Sequence, residues 1–456
     1  MADTLCSVGL DVGTTSTQLI VSELKIENRA SGFAVPEMEI TGRKIRYRSD
    51  VHFTPLSGES LVDGDALRAL VLSEYEKAGL SRTDVDTGAV IITGETSRKE
   101  NARTVMNALS ELAGEFVVAT AGPDLESALA ARGAGAVEYS AKTGTTVLHM
   151  DIGGGTSNLA LIEDGRILRT GCFNVGGRLI KRDNHGKITY LSPVLGNLTD
   201  LQLGDTPTPE QLHKVTDLLV QALEMAGGKR PPTELMDTLM TRETATPWLP
   251  PEGDVLFSFS GGVADCIDTC HPDLAFGDIG PALGQAIKHS RLTPYILGAE
   301  TIRATVIGAG CHSAKLSGST VFHKDITLPL QNLPVVFLSE SEQLRSDLSE
   351  LIAARIAAKD TGTVVLALPG YRSPSYGQIT ALAEQIAKGM ANKPVLVCLQ
   401  QDMAKALGHS LCLHLPQGTP CLCIDRIVLN EDSFLDIGQP VGPALPVVVK
   451  TLILSK

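Results

Sequence analysis

Two short stretches of this sequence place an acid, glycines and hydroxyls where they could grip a metal-bound polyphosphate. The first is Leu10-Asp11-Val12-Gly13-Thr14-Thr15-Ser16-Thr17 and the second is Met150-Asp151-Ile152-Gly153-Gly154-Gly155-Thr156-Ser157. They lie 140 positions apart, and at that offset Asp11 aligns with Asp151, Gly13 with Gly153, Ser16 with Thr156 and Leu19 with Leu159. Glycine lets the main chain turn sharply and approach a ligand closely. Successive N–H groups in such a turn form a concavity that binds anions, and Thr14, Thr15, Ser16, Thr156 and Ser157 add hydroxyl donors. Carboxylates repel phosphate, so Asp11 and Asp151 make chemical sense only with a cation between. Mg²⁺ fits, because it keeps several waters and is held by one or two carboxylates plus substrate phosphates. Either loop alone reads equally well as an ordinary hairpin whose Asp and Gly serve the turn. The pair in matched register points to one architecture used twice.

Two further glycine segments extend the pattern. Val255 to Ser260 is an apolar strand that runs into Gly261-Gly262, where bare backbone could lie against a flat ring. Ala304-Thr305-Val306-Ile307-Gly308-Ala309-Gly310-Cys311 is small and apolar, suited to tight packing against the small residues of 119–131 and to acting as a hinge. Gly308 is counted with Gly261 and Gly262 among the glycines expected to approach the ligand.

The elements that must carry these residues are legible in outline. Residues 5–24 read as two strands around the first loop. A helix follows from Ala66 to Lys77, ending at Gly79, then a core strand Ala89–Thr93, a helix over 97–113 and a strand Phe116–Ala119. Strands and helices in this order predict an α/β lobe. A second lobe begins near Thr145, with Asp164-Gly165 as a hairpin turn. Helices are expected over Gln211–Ala226 and Thr233–Thr241, a loop entering a helix at 278–290, and a return helix at 299–315. Beyond it, strands Val364–Leu368 and Pro394–Cys398 joined by a helix from Tyr376 to Ala391 make a right-handed βαβ unit. The expected division is 1–144, 145–316 and 317–456, the last an additional C-terminal α/β domain that contacts a partner.

Composition narrows the function. A 456-residue chain, 43% hydrophobic and 20% charged, is an ordinary globular protein of two or three domains. With net charge −13 and no long basic run, nucleic acid is not an expected partner. The cluster Arg43, Lys44, Arg46 and Arg48 reads as a solvated strand face. No apolar run reaches the ~20 residues of a membrane helix. Nine scattered cysteines without a signal peptide read as reduced thiols of a cytoplasmic protein. Cys266, Cys270 and His271 have helical spacing, but a closed zinc site needs four ligands, so buried thiols are expected.

In order and spacing, residues 1–316 resemble the actin-like ATPase superfamily, with two phosphate loops, an adenosine loop and two connecting helices. More specific segments run from end to end: Thr93-Gly94-Glu95-Thr96-Ser97, Ala121-Gly122-Pro123-Asp124-Leu125-Glu126-Ser127, Asn174-Val175-Gly176-Gly177-Arg178-Leu179, Asp278-Ile279-Gly280-Pro281, Leu316-Ser317-Gly318-Ser319-Thr320 and Leu435-Asp436-Ile437-Gly438. These resemble the family of ethanolamine ammonia-lyase reactivating proteins. The resemblance implies two ribonuclease-H-like lobes, ATP and Mg²⁺ as cofactors, and ethanolamine ammonia-lyase as the client, from which damaged cobalamin is released. It also implies a cytoplasmic location, leaving open association with the ethanolamine microcompartment and assembly into a homo-oligomer. One position departs from the pattern: chaperone ATPases of the superfamily carry a glutamate just before the proline of the first connecting helix, and here Gly122 stands there. Glu95, Asp124 and Glu126 are the acids that could replace it, and slow hydrolysis suited to a switch is expected. The competing reading is a small-molecule kinase of the same fold; a filament-forming protein is a third.

Overall fold

The computed structural model describes residues 3–13, 16–28, 38–57, 61–81, 84–92, 117–120, 123–241, 247–272, 274–312, 314–317, 320–359, 363–391, 393–429, 433–440 and 444–451. The expected helix 97–113, Thr14, Thr15 and Glu95 lie outside these residues.

The chain is mixed α/β, and the repeat seen in the sequence is a repeat of topology. In the first lobe, β1 (Asp3–Val12), β2 (Ser16–Asn28), β3 (Met38–Arg48), a short β4 (His52–Phe53), β5 (Thr87–Ile92) and β6 (Val117–Thr120) form a sheet ordered β3-β2-β1-β5-β6, with β4 on β2. In the second, β7 (Val147–Ile152), β8 (Ser157–Glu163), β9 (Arg166–Phe173), β12 (Leu256–Ser260) and β13 (Tyr295–Leu297) are ordered β9-β8-β7-β12-β13. β10 (Ile180–Arg182) and β11 (Ile188–Leu191) pair separately. Each lobe is thus an antiparallel three-strand meander whose first strand continues into two parallel strands. This is the two-lobed actin-like arrangement. Register agrees too: Asp11 pairs Gln18 and Asp151 pairs Asn158, an amide opposite each acid at the same offset. Gly13 N–H donates to the Ser16 carbonyl and Gly153 N–H to the Thr156 carbonyl, both at 2.9 Å. The two aspartates sit at the ends of strands rather than within the turns.

Local signals explain most element boundaries. Asp63 caps the helix Gly64–Ala78 by accepting from Ala66 N–H, and Gly79 ends it in the left-handed region. The helix Pro209–Ala226 starts two residues earlier than expected, because Thr208 and Gln211 form a reciprocal cap and Pro209 is tolerated in the first turn. The return helix is shorter than expected, Ala304–His312. Residues 299–301 are instead spent on crossing contacts: Ala299 N–H donates to the Ala134 carbonyl, and the Thr301 carbonyl accepts from Gly261 N–H.

The return helix crosses the helix Pro123–Gly133 at backbone distance. A Cβ at Gly308 would lie 2.1 Å from the Leu129 carbonyl oxygen, one at Gly133 1.8 Å from that of Ala304, and one at Gly9 2.5 Å from that of Val306. The basic cluster on β3 is exposed, yet two members tie this strand to the same segment. Arg48 pairs with Glu300 at 2.5 Å and Arg43 Nε donates to the Cys311 carbonyl.

The C-terminal sheet contains β14 (Ala314–Leu316), β15 (Phe322–Lys324), β16 (Leu330–Phe337), β17 (Val365–Leu368), β18 (Val395–Leu399), β19 (Cys421–Ile424), β20 (Ser433–Ile437) and β21 (Pro446–Thr451). Its order is β14-β21-β20-β16-β17-β18-β19-β15, with β16 to β19 parallel. The helix Tyr376–Gly389 joins β17 to β18 in the βαβ unit read from the sequence. One residue separates the return helix from β14, and Leu316 packs on Leu5, Leu24 and Ile26 of the first lobe.

Substitution Gly308→Ala is expected to destabilise the protein by about 1–3 kcal/mol, because a packed contact must open. In contrast Gly377→Ala, where an added Cβ meets nothing within 4 Å, should be neutral or stabilising by about 0.5 kcal/mol. Denaturant unfolding of both variants checks this, and equal midpoints would contradict it.

Candidate functional site

The two hairpins open onto one cleft of about 350 Å³ between the lobes. Asp11, Gly13 and Ser16 line it from the first lobe, and Asp151, Gly153, Gly154, Gly155 and Thr156 from the second. Gly261 and Gly262 line the same space. Gly261 has φ +87 and a Cβ there would lie 2.3 Å from the Ile152 carbonyl oxygen, so only glycine fits the turn. At Gly155 and Gly262 an added Cβ would meet nothing within 4 Å, so bare backbone faces the open cleft. Gly308 does not join them. It packs on the neighbouring helix, and its lack of a side chain serves the crossing rather than a ligand.

The acids of the cleft form one electrostatic unit. Asp151 is buried at 8% exposure, and burial raises its carboxyl to about 6 against hydrogen bonds from Ser260 and Thr305 that lower it. Glu126, partly buried on the helix Pro123–Gly133, is raised to about 8 by burial and by the charges of Asp11 and Asp151. A hydrogen bond from Asn158 opposes the rise. The acid brought to the phosphate loops is therefore Glu126, one turn into the connecting helix. Asp124 instead accepts from Thr170 Oγ1 at 2.5 Å and ties the helix to β9.

Arg178 is the one cation among the described residues lining the cleft. Its stem lies on Gly154, whose Cβ would sit 3.2 Å from Arg178 Cδ. Arg178 N–H donates to the Gly154 carbonyl at 2.6 Å, and its Nε stands 3.4 Å from Asp278 Oδ2. Asp278 in turn accepts from Gly280 N–H at the start of the helix Gly280–Lys288. Arg178 was marked in the sequence only as part of a resembling segment, and Asp278 likewise. Gln18 and Asn158 carried a readable signal, because they recur at the repeat offset.

These residues suit a metal-bound polyphosphate. Among the described residues no three His, Cys, Asp or Glu side chains converge to hold a metal ion alone. Asp11, Asp151 and Glu126 nonetheless face one cleft, and a cation there would favour the ionised forms that burial disfavours. Mg²⁺ with phosphate oxygens as its other ligands satisfies both facts. Cys266 is buried while Cys270 is exposed, so the expectation of buried thiols there holds for only one of the pair; all nine cysteines are free.

The sequence matches the family profile "Ethanolamine utilisation protein EutA" over residues 3–455. The chain belongs to the EutA family. It is 39% identical to the ethanolamine ammonia-lyase reactivase EutA of Salmonella typhimurium (strain LT2) over 467 residues, covering 98% of each chain. It is also 39% identical to the reactivase EutA of Escherichia coli (strain K12) over 468 residues, again covering 98% of each. Among solved structures it is similar to the type II variant of the Aquifex aeolicus Ppx/GppA phosphatase. That similarity is 13% in identity with a TM-score of 0.39, over 67% of this chain and 99% of that one. No helix among the described residues of this EutA family member is long and apolar enough to cross a membrane.

The raised Glu126 carboxyl has a measurable consequence. Its folded value near 8 exceeds the ordinary 4.5, so between these values the folded state holds a proton that the unfolded state has released. The stability from this group is complete below the lower value and is lost as pH rises through the upper one. Without ligand, the thermal midpoint of the wild type should therefore fall more steeply between about pH 5 and pH 8.5 than that of Glu126→Gln. Parallel profiles would contradict the assignment.

Proposed function

We propose that this chain is a nucleotide-driven reactivating chaperone for ethanolamine ammonia-lyase, releasing damaged cobalamin so that intact cofactor can enter. The observation that carries the reading is the pair of acidic glycine hairpins, in identical register, lining one interlobe cleft. Membership in the EutA family over residues 3–455 supports the client. When bound, Mg²⁺ would be held by Asp11 and Asp151 and would offset negative charge developing on the phosphate.

The chain's own residues have distinct parts in this proposal. Asp11 and Asp151 hold the metal from opposite lobes. The N–H groups of 153–156 and of the first hairpin orient the phosphates, with the hydroxyls of Thr14, Thr15 and Thr156 as further donors. Gly261 and Gly262 give the ring a flat backbone bed. Arg178, held beside Asp278, offsets phosphate charge. Glu126, whose carboxyl burial and the charges of Asp11 and Asp151 push up to about 8, orients the attacking water by a hydrogen bond; Glu95 remains a second acid proposed for this step. Closing the cleft changes the angle between the lobes. The nucleotide shifts that equilibrium only as far as it binds the two states differently. The C-terminal region, 317–456, is proposed as the contact with the lyase, in a cytoplasmic setting.

Asp11→Ala and Asp151→Ala should each reduce MgATP turnover by roughly a hundredfold or more; turnover retained in the double variant would contradict the site. For the client, lyase blocked with cyanocobalamin is incubated with this protein, ATP, Mg²⁺ and fresh adenosylcobalamin, and ammonia release is followed. Recovery is expected with the wild type and not with Asp151→Ala. No recovery with the wild type would remove the client while leaving the ATPase reading standing, and stimulation of turnover by ethanolamine or sugars alone would favour a kinase.

A further inference from the structure

Asp151 and Asp11 occupy equivalent places in the repeat, but what stands behind them differs. Two residues before Asp11 is Gly9, packed against the backbone of the return helix, and the parallel neighbour of Asp11 is Ile91. Two residues before Asp151 is His149, fully buried, and the parallel neighbours of His149 and Asp151 are Ser258 and Ser260. An aliphatic residue would fill this place in a sheet core at no polar cost, whereas buried polar groups persist only where their hydrogen bonds are met.

Here they are met in one unbroken line. Ser260 Oγ donates to Asp151 Oδ1. It lies 3.0 Å from His149 Nε2, and His149 Nδ1 lies 3.0 Å from Ser258 Oγ. The direction of every bond follows from donor counting. A carboxylate only accepts, so the single Ser260 proton goes to Asp151. Ser260 oxygen must then accept from His149, which places the imidazole proton on Nε2. His149 Nδ1 is left as an acceptor, and Ser258 donates to it. Three donors thus point in series from the strand interior toward the cleft, and the second carboxylate oxygen faces Thr305 Oγ1 of the return helix at 3.5 Å.

We propose that His149 and Ser260 are positioning residues that lock the rotamer of Asp151 for a divalent cation. The proposal rests on the nucleotide reading of the cleft. Hydrogen-bonded groups behind a metal ligand fix its orientation and strengthen its hold on the ion.

The test uses the full chain with Mn²⁺ and ADP, titrated by the electron paramagnetic resonance signal of free Mn²⁺. Variants are Ser260→Ala, His149→Phe, which keeps bulk without polar atoms, and His149→Gln, whose amide can both donate and accept. Ser260→Ala and His149→Phe should raise half-saturating Mn²⁺ about tenfold while His149→Gln stays within about threefold of wild type. Affinity for metal-free ADP should not move in any of them. In ¹⁵N-histidine spectra His149 should appear as the Nε2–H form before any ligand is added. Wild-type Mn²⁺ affinity in Ser260→Ala, equal losses in the Phe and Gln variants, or an Nδ1–H imidazole would each overturn the relay alone. A wild type that takes up no Mn²⁺ with ADP would overturn the relay and the nucleotide reading together.

Discussion

Burial of carboxyl groups that share one interlobe cleft is the constraint on which this structure turns. Asp11, Asp151 and Glu126 line the same space, where burial first, and then the charges of the two aspartates, raise the Glu126 carboxyl. The folded chain answers by keeping Glu126 protonated and by feeding Asp151 hydroxyl donors from Ser260 and Thr305. A cation with its phosphates would replace these partial measures with full compensation. Since the acids stand on different lobes, the proposed closure would draw on the same electrostatics.

That closure requires two rigid bodies and a joint that does not give. The rigid bodies are the two sheets, each with its meander and paired parallel strands. The joint is the crossing of the helices Pro123–Gly133 and Ala304–His312, where Gly133 and Gly308 admit backbone-to-backbone contact. Side chains at such a crossing would add soft layers able to repack. Helical residues of the joint also reach the chemistry directly, Glu126 from one helix and Thr305 from the other.

Much of this was legible in the residues. The offset between Asp11 and Asp151 carried the doubled topology, because a repeated hairpin needs the same acid, glycine and hydroxyl positions. Gly79 marked the end of a helix, and Asp164-Gly165 a hairpin, through chemistry confined to a few neighbouring positions. What escaped was set by contacts distant in sequence. Gly308 looks like a ligand glycine until the carbonyl of Leu129 is seen against it. Arg178 gains its place from Gly154 and Asp278, and nothing in its own neighbours reveals either. His149 reads as an ordinary buried histidine, because Ser258 and Ser260 reach it only across a parallel strand pair more than a hundred residues away. Glu126 could be singled out from its nearness to Pro123, but choosing it over Asp124 required knowing that Thr170 already occupies the latter.

The return helix runs into β14 with a single intervening residue, and β14 is stitched to β21 by sheet hydrogen bonds. If the lobes turn on nucleotide as proposed, so short a link would hand the turn to the C-terminal sheet like a crank with little play.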